Sequence, residues 1–368
     1  MRSAECGVRN EKSVVVSNTL SALRMRAAVL REIGAPLVIE ELDVPAPGHG
    51  QALVRLVASG ICHSQLHEIK GHRGPDRYLP HLLGHEGSGV VEAVGDGVTR
   101  VKPGDPVVLS WIQAEGLPGG PVTYQRGARR VNAGALTTLN EYAVVAENRV
   151  VPIPAAMPLE QAALLGCAVP TGAGAVFNTA DVQPGSTVVV FGAGGIGLNA
   201  VQAAALAKAA RVIAVDIQAQ KLEQARIFGA THAIDARQHD PVRAVLELTD
   251  GRGADYAIEA AGLTVTMEQA FACIRRQGGV AVLAGNVPKD ARITIDPFEL
   301  ICGKRLVGTW GGGTVPDRDV PRYVALYLEG KLKLDELVTH RFRLEQVNEA
   351  FAALERGLVT RALVVFDR

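Results

Sequence analysis

The sequence predicts an α/β protein of two domains, a β-rich domain interrupted by a doubly wound parallel sheet. Three observations carry this. The chain has 368 residues, more than a single hydrophobic core usually holds. From residue 25 to about 165 it is rich in Val, Gly and Pro, with short apolar segments punctuated by glycines. From Thr187 onward, short apolar strands alternate with helical stretches, the pattern of a parallel sheet with helices on both faces.

Residues 1–24 carry Arg2, Glu5, Arg9, Glu11 and Lys12 and lack a sustained apolar stretch. They make a poor secretory signal and are read as a loose extension, with folded structure starting near Met25. The segments Ala52-Leu53-Val54-Arg55-Leu56-Val57 and Val90-Val91-Glu92-Ala93-Val94 read as strands among turns. Strands follow at 188–191, 212–215, 233–234, 256–259 and 280–283, with a helix at 196–208. After Trp310 and Gly311-Gly312-Gly313 come helices at 320–329 and 345–356, then a closing strand at 362–366 that is expected to return to the first domain. The division expected is an extension at 1–24, a first domain at 25–172 and 312–368, and a second domain at 173–311. Residues 182–207 hold no charge and are long enough to suggest a membrane span. Pro184, Gly185, the glycine cluster, Asn199 and Gln202 read instead as strand, turn and helix.

Lys and Arg balance Asp and Glu at 38 each, so nothing resembles the basic footprint of a nucleic-acid or membrane-surface binder. The five scattered cysteines do not form a disulfide framework and fit a reducing cytoplasm. The expected partner is therefore a small molecule, with no nucleic acid and no membrane.

Gly192-Ala193-Gly194-Gly195-Ile196-Gly197 follows a credible strand and opens a credible helix. In such a turn the first glycine, Gly192, permits the tight bend; Gly194 lets the backbone approach a pyrophosphate; Gly197 lets helix and strand pack closely. Gly195 and Ile196 complete the helix N-terminus that faces the phosphates. Asp216 ends the next strand, where it can accept hydrogen bonds from the adenosine ribose and repel a 2′-phosphate, which favours NAD. The plain alternative is an ordinary glycine turn with Asp216 capping the following helix.

Upstream lie Gly60-Ile61-Cys62-His63-Ser64-Gln65-Leu66-His67, Gly84-His85-Glu86-Gly87-Ser88-Gly89 and Gly166-Cys167. Two thiolates and one imidazole suit tetrahedral zinc with a fourth position open, as in a catalytic site. Singly, each cysteine could be an inert core thiol, as Cys273 and Cys302 are read. In order and spacing, these motifs and the glycine turn resemble the zinc-dependent medium-chain alcohol dehydrogenases, and the likeness covers nearly everything from Met25 to Arg368. It includes Val101-Lys102-Pro103-Gly104-Asp105-Pro106-Val107 and Gly308-Thr309-Trp310-Gly311-Gly312.

The resemblance implies a partly open, GroES-like β-barrel catalytic domain interrupted by a Rossmann domain. It implies Cys62, His85 and Cys167 as ligands of one catalytic zinc, with Glu86 behind it as a transient ligand. It implies Ser64 as acceptor of the alcohol proton and His67 as its exit, a small hydroxyl beside the metal and an imidazole near solvent. His63, Lys221 and Arg361 match positions near the cofactor phosphates and ribose, or are solvated charges. A homo-oligomer, dimer or tetramer, is expected.

Two departures stand out. Many relatives carry four closely spaced cysteines for a structural zinc, whereas residues 110–134 contain none; no structural zinc is expected, and the Gly, Pro and Arg there suggest a remodelled loop. Gln65 stands where the family usually has Asp, so it can orient a zinc-bound His but supplies less charge. Trp111 matches a pocket-lining position, where it would narrow the pocket toward primary alcohols, or is a packed core tryptophan. The expected activity is zinc-dependent, NAD-linked interconversion of an alcohol and its aldehyde or ketone. The rivals are a same-fold dehydrogenase acting on a polyol, an amino-sugar or cyclitol hydroxyl, or a thiol-aldehyde adduct, and a nucleotide-binding protein without catalysis.

Overall fold

The computed structural model describes residues 23–367. The expectation for residues 1–22 lies outside the described residues, and the first strand, Arg24–Leu30, begins where folded structure is expected.

Three sheets build the molecule. A closed barrel runs in the order Arg24–Leu30, Val38–Asp43, Val122–Arg126, Arg129–Gly134 and His81–Leu82. Beside it a seven-stranded sheet centres on the long strand Gln51–Gly60, flanked by Glu86–Val94 and Ala362–Val365. The closing strand thus returns to the first sheet, with Val364 opposite Ser59 and Leu363 opposite Gly60. The third sheet is wholly parallel: His232–Asp235, Arg211–Asp216, Thr187–Phe191, Tyr256–Glu259, Val280–Leu283 and Arg305–Gly308. Strand order reverses between Thr187–Phe191 and Tyr256–Glu259, which opens the crevice where doubly wound sheets bind ligands.

Alternation along these strands covers both faces. Val188, Val190, Ala214 and Val282 join the core cluster that includes the helix Gly195–Leu206, while Val189, Phe191, Ile213 and Ala281 pack with Val245 and Phe271 on the other face. A sheet buried on both sides needs apolar side chains at odd and even positions, hence the continuous Val188-Val189-Val190-Phe191 run. The sixth strand, Arg305–Gly308, escapes sequence reading because it is a short edge strand with only Leu306 and Val307 apolar between Arg305 and Gly308. The helix expected at 320–329 begins earlier, at Pro316, because proline suits the first helical turn and Asp317 and Asp319 favour it. Among the described residues no single helix is long and apolar enough to cross a membrane.

The cysteine-free segment 110–134 is ordered by other means. Val122–Arg126 and Arg129–Gly134 form a hairpin inside the barrel, turning at Gly127. Tyr124 is fully buried, and its hydroxyl accepts a hydrogen bond from the Val144 backbone N–H at 2.8 Å. The carboxylate of Glu147 accepts from the backbone N–H groups of Thr99, Arg100 and Leu117 at 2.7–2.9 Å, pinning the approach to the hairpin. Tyr124→Phe should leave the Val144 N–H unpaired and lower unfolding free energy by about 1–3 kcal/mol. Urea denaturation should show a reduced midpoint at unchanged slope.

Candidate active site

The three expected ligands sit at element ends, where side chains converge without disturbing backbone pairing. Cys62 caps the helix His63–Ile69, His85 precedes the strand Glu86–Val94, and Cys167 caps the helix Ala168–Gly174. The helix that starts at Cys167 packs against Gly195–Leu206, tying the metal ligands to the glycine turn. The ligand atoms of Cys62, His85 and Cys167 all lie within 4.8 Å of one another. A two-sulfur, one-nitrogen set at this spacing fits a tetrahedral zinc with one position free.

Cys62 is held well below the ordinary thiol range. The Cys167 thiol donates to it, outweighing the burial that opposes charge, and His85 and Arg361 add positive character. Cys167 is correspondingly pushed up, since it acts as the donor to Cys62 and is itself buried. The two titrate as a pair, with the first thiolate forming on Cys62.

Glu86 does not join the three-ligand set. Its carboxylate lies in a cradle beside Gly60, where a Cβ would come within 2.3 Å of its Oε1. There it is ion-paired with Arg361, and Oε2 accepts from the Ala168 N–H at 3.3 Å. Both side chains are buried, Glu86 at 0% exposure and Arg361 at 4%. The Arg361 guanidinium thus faces Glu86 on one side, while its Cδ and Nη1 lie beside Gly195 of the glycine turn, where a Cβ would meet them at 3.2 and 3.6 Å.

Ser64 Oγ stands 3.2 Å from Cys62 Sγ and 3.4 Å from His85 Nε2, directly on the ligand set. His67 is one turn further along the same helix and makes no hydrogen bond to Ser64; its ring lies against His72, centroids 5.2 Å apart. Burial, with the charges of His72, His63 and Arg73 adding, lowers its pKa from the usual 6.5. His63 opens the helix at the cleft. Loss of water around its ring lowers its pKa; the neighbouring Cys62 opposes this, and the charges of Lys221 and Arg361 add to the lowering. Gln65 caps its helix, Oε1 accepting from the Cys62 N–H at 2.7 Å, and its buried Nε2 is unpartnered.

At the glycine turn, Gly192 has φ +89°, and a Cβ on Gly197 would fall 1.7 Å from the Gly192 carbonyl oxygen. Only glycine permits that approach of helix to strand. Asp216 Oδ2 accepts from the Ala193 N–H at 2.8 Å and Oδ1 from the Gln218 N–H at 3.0 Å. Each oxygen keeps a lone pair for a further donor. Gly194 caps the helix that Gly195 and Ile196 open.

Sequence reading missed Glu259, at the end of the strand beside Thr187–Phe191, which accepts from Ala261 N, Gly262 N and Thr266 and shapes the crevice loop. It also missed a second cluster, Glu68, Asp76 and His81, in which the His81 ring bridges Leu82 O at 2.8 Å and Asp76 at 2.7 Å. Ordinary residue types at wide spacing gave no signal for either.

Residues 48–155 match the alcohol dehydrogenase GroES-like domain, and residues 195–329 match the zinc-binding dehydrogenase family. An alcohol dehydrogenase zinc-binding domain protein from Burkholderia ambifaria superimposes with a TM-score of 0.88 at 34% identity, covering 94% of this chain and 100% of that one. Benzyl alcohol dehydrogenase from Acinetobacter calcoaceticus gives 0.86 at 31% identity, again over 94% and 100%. A putative zinc-binding dehydrogenase from Sinorhizobium meliloti, bound to NADP, gives 0.78 at 25% identity over 93% and 99%. The chain belongs to the zinc-type medium-chain alcohol dehydrogenase family. It is an alcohol dehydrogenase-type oxidoreductase of a family that uses zinc and a nicotinamide cofactor.

The buried Glu86–Arg361 pair makes a sharp prediction. Glu86→Gln strips the counter-charge from a buried guanidinium and should destabilise the protein by about 3–5 kcal/mol. Adding Arg361→Met should recover part of the loss, and a double-mutant cycle in chemical denaturation measures the coupling.

Proposed function

We propose that this protein is a zinc-dependent, NAD-linked alcohol dehydrogenase that interconverts an alcohol and its aldehyde or ketone. The observation that carries the reading is Ser64 Oγ within hydrogen-bonding reach of two members of a two-sulfur, one-nitrogen ligand set. Cys62, His85 and Cys167 would hold the zinc, with Glu86 and Arg361 behind it. A zinc held by these ligands would supply Lewis-acid polarisation of an alcohol oxygen, and a nicotinamide cofactor would supply the hydride acceptor. The hydroxyl proton is the remaining product, and the residues of this chain handle it. Ser64 would accept it beside the ligand set, and His67, one turn further along the same helix, would release it toward solvent. The lowered pKa of His67 keeps it a free base somewhat below pH 6.5.

Asp216 supports NAD as the cofactor. Its two oxygens already accept two backbone N–H groups, and their remaining lone pairs suit the ribose hydroxyls, whereas a 2′-phosphate there would bring like charges together. One zinc per chain is proposed because nothing in residues 110–134 supplies thiolates for a second.

Elemental analysis and an alcohol panel with NAD and NADP test the reading together. About one zinc per chain is expected, lost on Cys167→Ser. Two tightly held zincs per chain, or no alcohol-dependent reduction of either cofactor, would sink the proposal. Wild-type protein should prefer NAD, and Asp216→Gly should narrow that preference; equal efficiency with both cofactors before mutation contradicts the role of Asp216.

The proton path is testable separately. Ser64→Ala should reduce turnover by about 10²- to 10⁴-fold, with zinc content and NAD affinity retained. His67→Gln should cost less, since water replaces an outer member. Wild-type turnover should hold into the mildly acidic range and fall only below the depressed His67 pKa, while the His67→Gln rate declines from higher pH. Near wild-type turnover in Ser64→Ala overturns the path.

A further inference from the structure

We propose that Glu68, Asp76 and His81 form a second metal site, which takes a first-row divalent transition-metal ion and clips the connection between the helix His63–Ile69 and the strand His81–Leu82 onto the barrel. The inference goes beyond the alcohol dehydrogenase reading and does not depend on it. One oxygen of each carboxylate and one ring nitrogen of His81 all lie within 4.8 Å of one another. They share no residue with the set at Cys62, His85 and Cys167.

Three elements bring these side chains together. Glu68 lies in the last turn of the helix His63–Ile69, Asp76 in the connection that follows, and His81 opens the strand His81–Leu82. That strand is fixed in the barrel, with His81 opposite Leu30 on one side and Asn132 on the other. The His81 ring is 7% exposed, and its Nδ1 lies 2.8 Å from the Leu82 carbonyl oxygen. A carbonyl oxygen only accepts, so Nδ1 carries a hydrogen, and the ring is held by the kind of backbone contact that orients a metal-binding imidazole. Nε2 is left facing two carboxylates, Asp76 Oδ2 at 2.7 Å and Glu68 Oε1 at 4.0 Å.

An imidazole lone pair opposite a carboxylate is repulsive, so Nε2 and Asp76 need a positive bridge, which a proton or a metal ion supplies. Glu68 decides for the ion. Its side chain is only 32% exposed, yet its carboxylate accepts no hydrogen bond from any described residue, and the nearby Arg73 guanidinium stands off at 3.8 Å. A proton on Nε2 satisfies Asp76 alone, whereas an ion also draws in Glu68. Donor atoms around one such ion stand about 3 Å apart, so Glu68 swings inward and Asp76 shifts out by a few tenths of an ångström while His81 stays fixed. One imidazole with two carboxylates suits Mn²⁺, Co²⁺, Ni²⁺ or Zn²⁺ better than Ca²⁺, which takes oxygen alone. Because the ion has to break the Asp76–His81 contact and recruit Glu68, it is held exchangeably, and gel filtration leaves the tightly held zinc at one per chain. The connection it clips carries His72, whose ring lies against His67 and whose carbonyl oxygen accepts from the Lys289 N–H at 3.3 Å.

Mn²⁺ tests the site in the zinc-loaded protein. Thiolates favour zinc and manganese lies lowest in the affinity order, so Mn²⁺ does not displace zinc at Cys62, His85 and Cys167. Electron paramagnetic resonance of the free ion should show one saturable Mn²⁺ per chain at sub-millimolar concentration, persisting beside an equal concentration of Mg²⁺, which prefers oxygen to imidazole. Asp76→Asn and Glu68→Gln should each weaken this binding by about 10-fold or more, since each removes a charged donor and even a residue behind a ligand is worth that much. Mn²⁺ should raise the melting temperature of the wild type and leave that of both variants unmoved. No saturable Mn²⁺, Mn²⁺ displaced by equimolar Mg²⁺, or binding in Glu68→Gln equal to wild type overturns the inference. Should Asp76→Asn fail to fold, Glu68→Gln decides, because the Glu68 carboxylate accepts no hydrogen bond that the substitution would break.

Discussion

The buried pairing of Glu86 with Arg361 is the interaction on which the rest of the site depends. Glu86 follows the ligand His85 at the head of one strand, and Arg361 precedes the strand Ala362–Val365 that closes the same sheet from the far end of the chain. Neither charge is tolerable alone in so dry a place. Their pairing sets the closing strand against the glycine turn, where Arg361 touches Gly195, and also supplies positive potential to Cys62. One ion pair thus couples the last part of the sequence, the metal ligands and the helix N-terminus that faces a dinucleotide.

Around that pair, the ligands are placed by element ends and not by loops. A thiol at a helix cap has its backbone direction set by the helix behind it, and a histidine at the start of a strand has it set by the ladder. Ser64 gains its position in the same way, as part of the turn that Cys62 caps and Gln65 closes. Gln65 bears on the departure from the family pattern: its oxygen is spent on the Cys62 N–H, so its role here is to hold the ligand-bearing turn.

The segment 110–134 is ordered by burial and hydrogen bonding. Its hairpin is drawn into the barrel by a buried tyrosine and held at its base by a carboxylate that accepts three backbone N–H groups. The consequence for the site is indirect: Trp111 and Ile112, at the entrance to this segment, have a firm base on which the Gly311–Gly313 turn rests.

Much was legible in the sequence because it rests on local rules. The Val188-Val189-Val190-Phe191 run, the spacing of Gly192, Gly194 and Gly197, and Asp216 at the end of the next strand each follow from backbone sterics within a few residues, and the ligand motifs follow from donor chemistry. What only the tertiary structure decided are contacts between residues distant in the chain: Arg361 set against Glu86, the cysteine-free segment folded into the barrel, and Trp111 brought to Trp310. Each is a choice among partners that local propensity leaves equal. An arginine near the chain end has many partners open to it, and only the fold seats this one against the buried Glu86, because a dry carboxylate demands a compensating charge.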